Sequence, residues 1–172
     1  MNLTDKLSDH ITLQEAIVSQ TASRLGIDNT PSEDIISNME LWAIKLFEPL
    51  RAYVSQVRGV DSPIHISSMY RSSALNTAIG GAKDSQHMQG LAGDLEVYYP
   101  DFDKKALFLA IKEKMAFDQL IAEFKTGNLP SWIHVSWSPT NNRHEIFIAA
   151  PSPNGTQYLT LDHWDQIYNP QT

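Results

Sequence analysis

Ser85-Gln86-His87-Met88-Gln89-Gly90-Leu91-Ala92-Gly93-Asp94 is the stretch on which the reading of this chain turns. It sets a histidine and an aspartate seven positions apart, with two glycines between them. A short hairpin-like excursion built on these small residues can return both side chains to one point, and Asp94 then begins a strand with Leu95-Glu96-Val97-Tyr98. Further along, Trp132-Ile133-His134-Val135-Ser136-Trp137 is a β-type run with one histidine in it, Ile133 and Val135 pointing to the other face. Two imidazoles and one carboxylate are a typical protein-ligand set for a catalytic zinc, with the fourth position left to water. A lone histidine in such a strand is also commonly a packed, hydrogen-bonded residue. At this level His134 has both readings.

The segments on either side predict an α+β fold. Thr12-Leu13-Gln14-Glu15 is a capping-box pattern, and apolar Leu13, Ala16, Ile17 and Leu25 predict a helix over about 13–25, ending at Gly26. Ser32-Glu33-Asp34 starts a second helix, with a break or kink at Pro49 and an end near Val57. Ile64–Tyr70 alternates as a strand, and Arg71–Ile79 reads as a short helix closing at Gly80-Gly81. Asp103 caps a helix over Lys104–Met115. Phe117–Phe124 and Trp132–Trp137 read as strands joined through a Gly127-Asn128 turn, and Glu145–Ala149 with Gln157–Leu159 as a terminal hairpin around Pro153-Asn154-Gly155. The expected architecture is N-terminal helices packed on a small, largely antiparallel sheet. One domain over 1–172 is expected, with a helical part over 1–58, a metal-binding core over 59–150 and a tail over 151–172.

Composition narrows the chemistry. At 172 residues, 42% hydrophobic and 19% charged, the chain has the make-up of a globular protein able to bury a sizeable core. It contains no cysteine, so thiolate metal sites and disulfides are excluded and any metal must be held by nitrogen and oxygen. The net charge of −7 argues against a nucleic-acid partner. No run approaches the ~18–20 apolar residues of a membrane span, and no apolar signal core follows Met1, so synthesis in the cytoplasm without membrane insertion is expected.

Ser68-Met69-Tyr70-Arg71-Ser72, Leu75-Asn76, Gly80-Gly81-Ala82, Ser85-Gln86-His87 with Gly90, Ala92 and Asp94, Asp118-Gln119-Leu120-Ile121 with Glu123, and Trp132-Ile133-His134-Val135-Ser136 form one set of motifs. Together they resemble the zinc D-alanyl-D-alanine carboxypeptidase family and its phage peptidoglycan endopeptidase relatives, in the compact branch of that family. Leu13-Gln14-Glu15, Gly26-Ile27-Asp28-Asn29 and Pro49-Leu50-Arg51 resemble the same branch. The resemblance implies a hedgehog/D-Ala-D-Ala peptidase-like fold, Zn²⁺ ligated by His87, Asp94 and His134, Arg71 near the substrate, and Ser85 and Gln86 lining the site. Arg71 can pair with a peptide carboxylate or stabilise an oxyanion, or it can be a helix-start residue in a surface ion pair. Ser85 can equally cap a turn. Trp132 is a packing residue or a wall of the peptide groove.

The general base departs from the family pattern. Many members carry an acidic residue three positions before the last histidine, where this chain has Ser131. Glu123 is the best replacement, because pairing of its strand with Trp132–Trp137 brings it near His134; Asp118 is the second candidate, with an anchoring role at the strand start as its other reading. The function implied is zinc-dependent hydrolysis of a peptide bond in peptidoglycan stem or cross-link peptides, as a carboxypeptidase or an endolysin-type endopeptidase acting on the wall after release. The substituted position at Ser131 keeps open a non-catalytic module that binds zinc and wall peptide. A monomer is expected.

Overall fold

A computed structural model describes residues 2–153 and 155–169. The N-terminal segment opens with a hairpin the sequence did not announce, β1 (Lys6–Ser8) and β2 (Ile11–Thr12). The Thr12–Glu15 capping box forms as expected and starts a helix. The helix expected over 13–25 is, however, two helices, α1 (Leu13–Ile17) and α2 (Gln20–Leu25). Val18 between them is extended, and the Ser19 hydroxyl accepts from Ala22 N–H to cap α2. The carbonyls that a continuous helix would use are taken from outside: Ala16 O by Tyr70 N–H at 2.9 Å and Ile17 O by Asn29 Nδ2 at 2.8 Å. Gly26, at φ 64°, ends α2 in the left-handed conformation that its lack of a Cβ permits.

The second helix runs through Pro49. It comprises α3 (Glu33–Trp42), a π-helical turn over Ala43–Phe47, and α4 (Glu48–Arg58). Proline has no N–H to give and its ring crowds the carbonyl four residues back. The chain widens ahead of it, and Glu48 N–H reaches Ala43 O, five residues back. The disturbance is thus a bulge before Pro49 rather than a break at it.

The main sheet has six strands: β3 (His65–Ser68), β4 (Ala92–Glu96), β5 (Gln119–Glu123), β6 (Trp132–Ser136), β7 (Glu145–Ser152) and β8 (Gly155–Leu159), in the order β3-β4-β6-β5-β7-β8. All neighbours are antiparallel except β5 and β7. The expected α+β class and largely antiparallel sheet are therefore present. Helices α5 (Ser73–Ala78) and α6 (Lys104–Lys114) form where the sequence places them, α6 with the Asp103 carboxylate accepting from Ala106 N–H. The segment read as a tail carries β8 and a last helix, α7 (Trp164–Tyr168), whose Tyr168 is fully buried. Asn154, in the expected turn of the terminal hairpin, lies outside the described residues. Among those described, no helix is long and apolar enough to cross a membrane.

The period of two in the strands divides the sheet into two faces. Leu95, Ile133, Ala122 and Ile148 are in register across β4, β6, β5 and β7, and all are fully buried in the core with Trp42, Leu107, Phe108 and Ile111 of the helices. The opposite face carries Asp94, His134, Ile121 and Phe147 in one row, and Trp132, Glu123, Ala149 and Tyr158 in the next. Gly93 is where the core touches the site. A Cβ there would lie 2.6 Å from Trp42 Cη2, so glycine lets the indole approach β4 this closely beside Asp94.

Candidate metal centre and active site

Asp94 and His134 are direct cross-strand partners on β4 and β6. Asp94 is the middle residue of its strand rather than its first, since β4 already begins at Ala92. His87 enters from a single 3₁₀ turn, Gln86–Gln89, which Gly90 closes at φ 70°. A Cβ on Gly90 would also strike Ile35 O and Met39 Cγ, each at 2.8 Å, so the turn that carries His87 requires glycine for two reasons.

These elements bring His87, Asp94 and His134 together, all three buried. His87 Nε2 is 3.2 Å from Asp94 Oδ1 and 3.1 Å from His134 Nδ1, and His134 Nδ1 is 3.0 Å from Asp94 Oδ1. Ligand atoms at 2.0–2.2 Å from a tetrahedral zinc stand roughly 3.3–3.5 Å apart, so this triangle is close to one face of such a shell. The proton inventory agrees. Met69 O can only accept, so the 2.5 Å contact with His87 Nδ1 puts the ring proton there and leaves Nε2 as a lone pair facing the cluster. Two acceptors and at most one proton, on His134, then share the space, and a cation satisfies all three. The residues fit a divalent metal with nitrogen and oxygen preference.

The outer oxygen of Asp94 is also held. Arg71 donates from its Nη2 to Asp94 Oδ2, and its Nε donates to Ser68 Oγ at 2.8 Å. Arg71 lies just ahead of α5, which Ser72 caps, so it is not a surface helix-start residue; it is mostly buried on the cleft wall. Burial pushes the Asp94 carboxyl up, but the charge and hydrogen bonds of His87 and His134 outweigh this, and it stays well below the usual carboxylate range. Burial pushes His87 down, against the pull of Asp94, which favours the neutral imidazole a metal ligand needs.

A cleft of about 920 Å³ opens over this cluster. His87, Asp94, His134, Arg71, Ser85, Gln86, Glu123 and Trp132 all line it; of the residues singled out for the site, Asp118, the second candidate for the base, does not. Glu123 ends β5, in register with Trp132, one row along from His134. Burial pushes its carboxyl up and the charge of Asp94 pushes it further, while His134, Arg71 and Trp132 oppose. The Trp132 indole Nε1 is buried without a full hydrogen bond, and its ring tilts against Phe124 at 5.3 Å. Gln86 lends its amide to Asp118 Oδ2 at 2.9 Å.

Asp118 takes the anchoring role. It is buried and holds Arg143 through Oδ1 to Nε at 2.7 Å and Oδ2 to Nη2 at 2.6 Å, and it does not line the cleft. Ser131 is likewise turned to structure, its hydroxyl paired with Thr126 Oγ1 at 2.8 Å. His65 lines the cleft without joining the cluster; His10 pairs with Glu48 and His144 packs edge-on against Phe117. Sequence reasoning did not assign Met69 O as the holder of His87, Ser68 as the holder of Arg71, or Phe124, Thr156 and Tyr158 as cleft residues. Ser68 and Met69 lay inside the quoted motif; the other three depend on strand order, which no local pattern encodes.

Among curated proteins, none matches the chain. The family model described as Peptidase M15 matches residues 9–136, which span β2 to β6 with helices α1 to α6, include His87, Asp94, Glu123 and His134, and make up most of the chain. The chain therefore belongs to the M15 peptidases, the zinc D-alanyl-D-alanine carboxypeptidase family.

Proposed function

We propose that this protein hydrolyses a peptide bond in peptidoglycan stem or cross-link peptides, with Zn²⁺ held by His87 Nε2, Asp94 Oδ1 and His134 Nδ1. The observation that carries the reading is the meeting, in one cleft, of a proton-poor His-Asp-His cluster and a carboxyl, Glu123, whose pKa is raised. When bound, the metal supplies Lewis-acid polarisation of the scissile carbonyl and acidification of a water.

The chain's own residues do the rest. Met69 O fixes the His87 tautomer, and Arg71 holds Asp94 by its outer oxygen, so the three ligand atoms keep their spacing. Arg71 also brings positive charge to the cleft wall, where the carbonyl oxygen becomes negative as water adds. Glu123 takes a proton from the attacking water as the C–O bond forms, and gives it to the departing nitrogen as the carbonyl re-forms and the C–N bond breaks. A pKa raised by burial makes the carboxylate a stronger base for the first half of this transfer. Gln86 and Ser85 line the entrance, and Trp132 forms a wall beside Glu123.

Digestion of purified peptidoglycan by zinc-loaded and chelator-stripped protein, with products read by mass spectrometry, tests the proposal. Fragments that vanish on stripping and return with Zn²⁺ are expected. Stoichiometric zinc without any fragment would favour the non-catalytic binding module instead.

A further inference from the structure

The β7–β8 hairpin lies beyond the family-matched residues 9–136, yet it builds one end of the cleft. Thr156 and Tyr158 line that end with Phe124 and Trp132, and Glu123 sits among them. Trp132, Glu123, Ala149 and Tyr158 are successive register partners across β6, β5, β7 and β8, so their side chains share one face. Ala149, between the carboxyl and the phenol in this row, is fully buried and does not itself line the cleft. The Tyr158 ring is braced edge-on by Phe147 at 6.2 Å, and the residue is 55% exposed.

Phe124 supplies a second, independent observation. Its φ is 55°, a left-handed conformation that bulky L-residues rarely adopt and that gathers at functional sites. Two bonds hold it there: Phe124 N–H donates to Ala149 O at 2.8 Å, and its carbonyl accepts from the hydroxyl of buried Tyr168 at 2.8 Å. The ring consequently lies on the cleft wall against Trp132. The charge at this end is that of Glu123. Among the described lining residues the one Lys or Arg is Arg71, which is engaged with Asp94.

A base that passes its proton to the leaving amine must reach that nitrogen. Glu123 stands on the aromatic side of His134, so the leaving half of the substrate lies at this end. Resting on the hydrolytic reading above, we infer that Phe124, Trp132 and Tyr158 form the subsite for the residue that carries the leaving amine, and that this subsite takes an uncharged, apolar side chain. An acidic side chain there would meet Glu123 without a counter-charge.

The test uses zinc-loaded wild type, Tyr158→Phe and Tyr158→Ala. Purified peptidoglycan is digested and the leaving residue identified from the new amino termini by mass spectrometry. The peptide so defined is then synthesised with that residue or with glycine in its place. An apolar leaving residue is expected. Tyr158→Ala should raise KM for the native peptide about tenfold, with kcat and the glycine peptide changed by less than about twofold. Tyr158→Phe, which keeps the ring, should behave as wild type. A glycine or charged leaving residue, or equal effects of Tyr158→Ala on both peptides, overturns the subsite alone. Zinc-loaded wild type that digests nothing overturns the hydrolytic reading and the subsite with it.

Discussion

Replacing Gly93 with alanine should damage fold and site together, by a predictable amount. The new Cβ would lie 2.6 Å from Trp42 Cη2 and 2.7 Å from Cζ2. Carbon atoms rest at ~3.5–4.0 Å, so about 1 Å of movement is needed. Neither side yields freely. Trp42 is fully buried, stacks on Phe47 at 6.0 Å, and donates its Nε1–H to Val135 O at 3.3 Å; Val135 is itself the register partner of Gly93. Overpacking of this kind costs about 1–3 kcal/mol. For a protein of this size that lowers Tm by about 2–12 °C. Any shift of β4 also moves Asp94, so zinc affinity should fall in parallel. Calorimetric melts and zinc titration of the wild type, Gly93→Ala, Trp42→Phe and the double variant form the assay. Phenylalanine lacks the outer indole atoms that clash, so Gly93→Ala should cost less than about 0.5 kcal/mol in that background. An unchanged Tm for Gly93→Ala, or the same loss in both backgrounds, would refute the packing argument.

Four further outcomes are expected. Glu123→Gln should lower kcat by about 10²–10⁴-fold while bound zinc stays stoichiometric; full turnover would remove Glu123 as the base. Because a base works only when deprotonated, kcat/KM should rise with pH through an acid limb that Glu123→Gln removes; a limb that survives the substitution unchanged contradicts the assignment. Arg71→Ala frees Asp94 Oδ2 and should weaken zinc about 10–100-fold by competition with a chelator, with the fold intact in circular dichroism. Asp118 is depressed chiefly by the hydrogen bonds from Arg143, so its contribution to stability is present above the unfolded pKa of about 3.9 and is lost as pH falls through the lower folded value. Urea midpoints of wild type and Arg143→Met should therefore differ most above about pH 4 and converge on further acidification.

The parts of this protein legible in the sequence are those governed by neighbours along the chain. The Thr12–Glu15 box, the Asp103 cap and the helix end at Gly26 act over three or four residues, and each appears where local chemistry puts it. The placing of Glu123 beside His134 followed from one hairpin with a short turn, β5 to β6, and the structure pairs Glu123 with Trp132 and Ile121 with His134. The break between α1 and α2 was not legible, because Tyr70 and Asn29, remote in sequence, take the carbonyls that would have continued the helix. Nor was the parallel pairing of β5 with β7, which puts Tyr158 across Ala149 from Glu123. The residue types at positions 87, 94 and 134 thus determined that a cluster there could hold a metal with nitrogen and oxygen ligands. Only tertiary structure decided which of their atoms face one another, who holds them and what surrounds Glu123, because strand order and register are set by burying one face of the sheet and not by any signal along the chain.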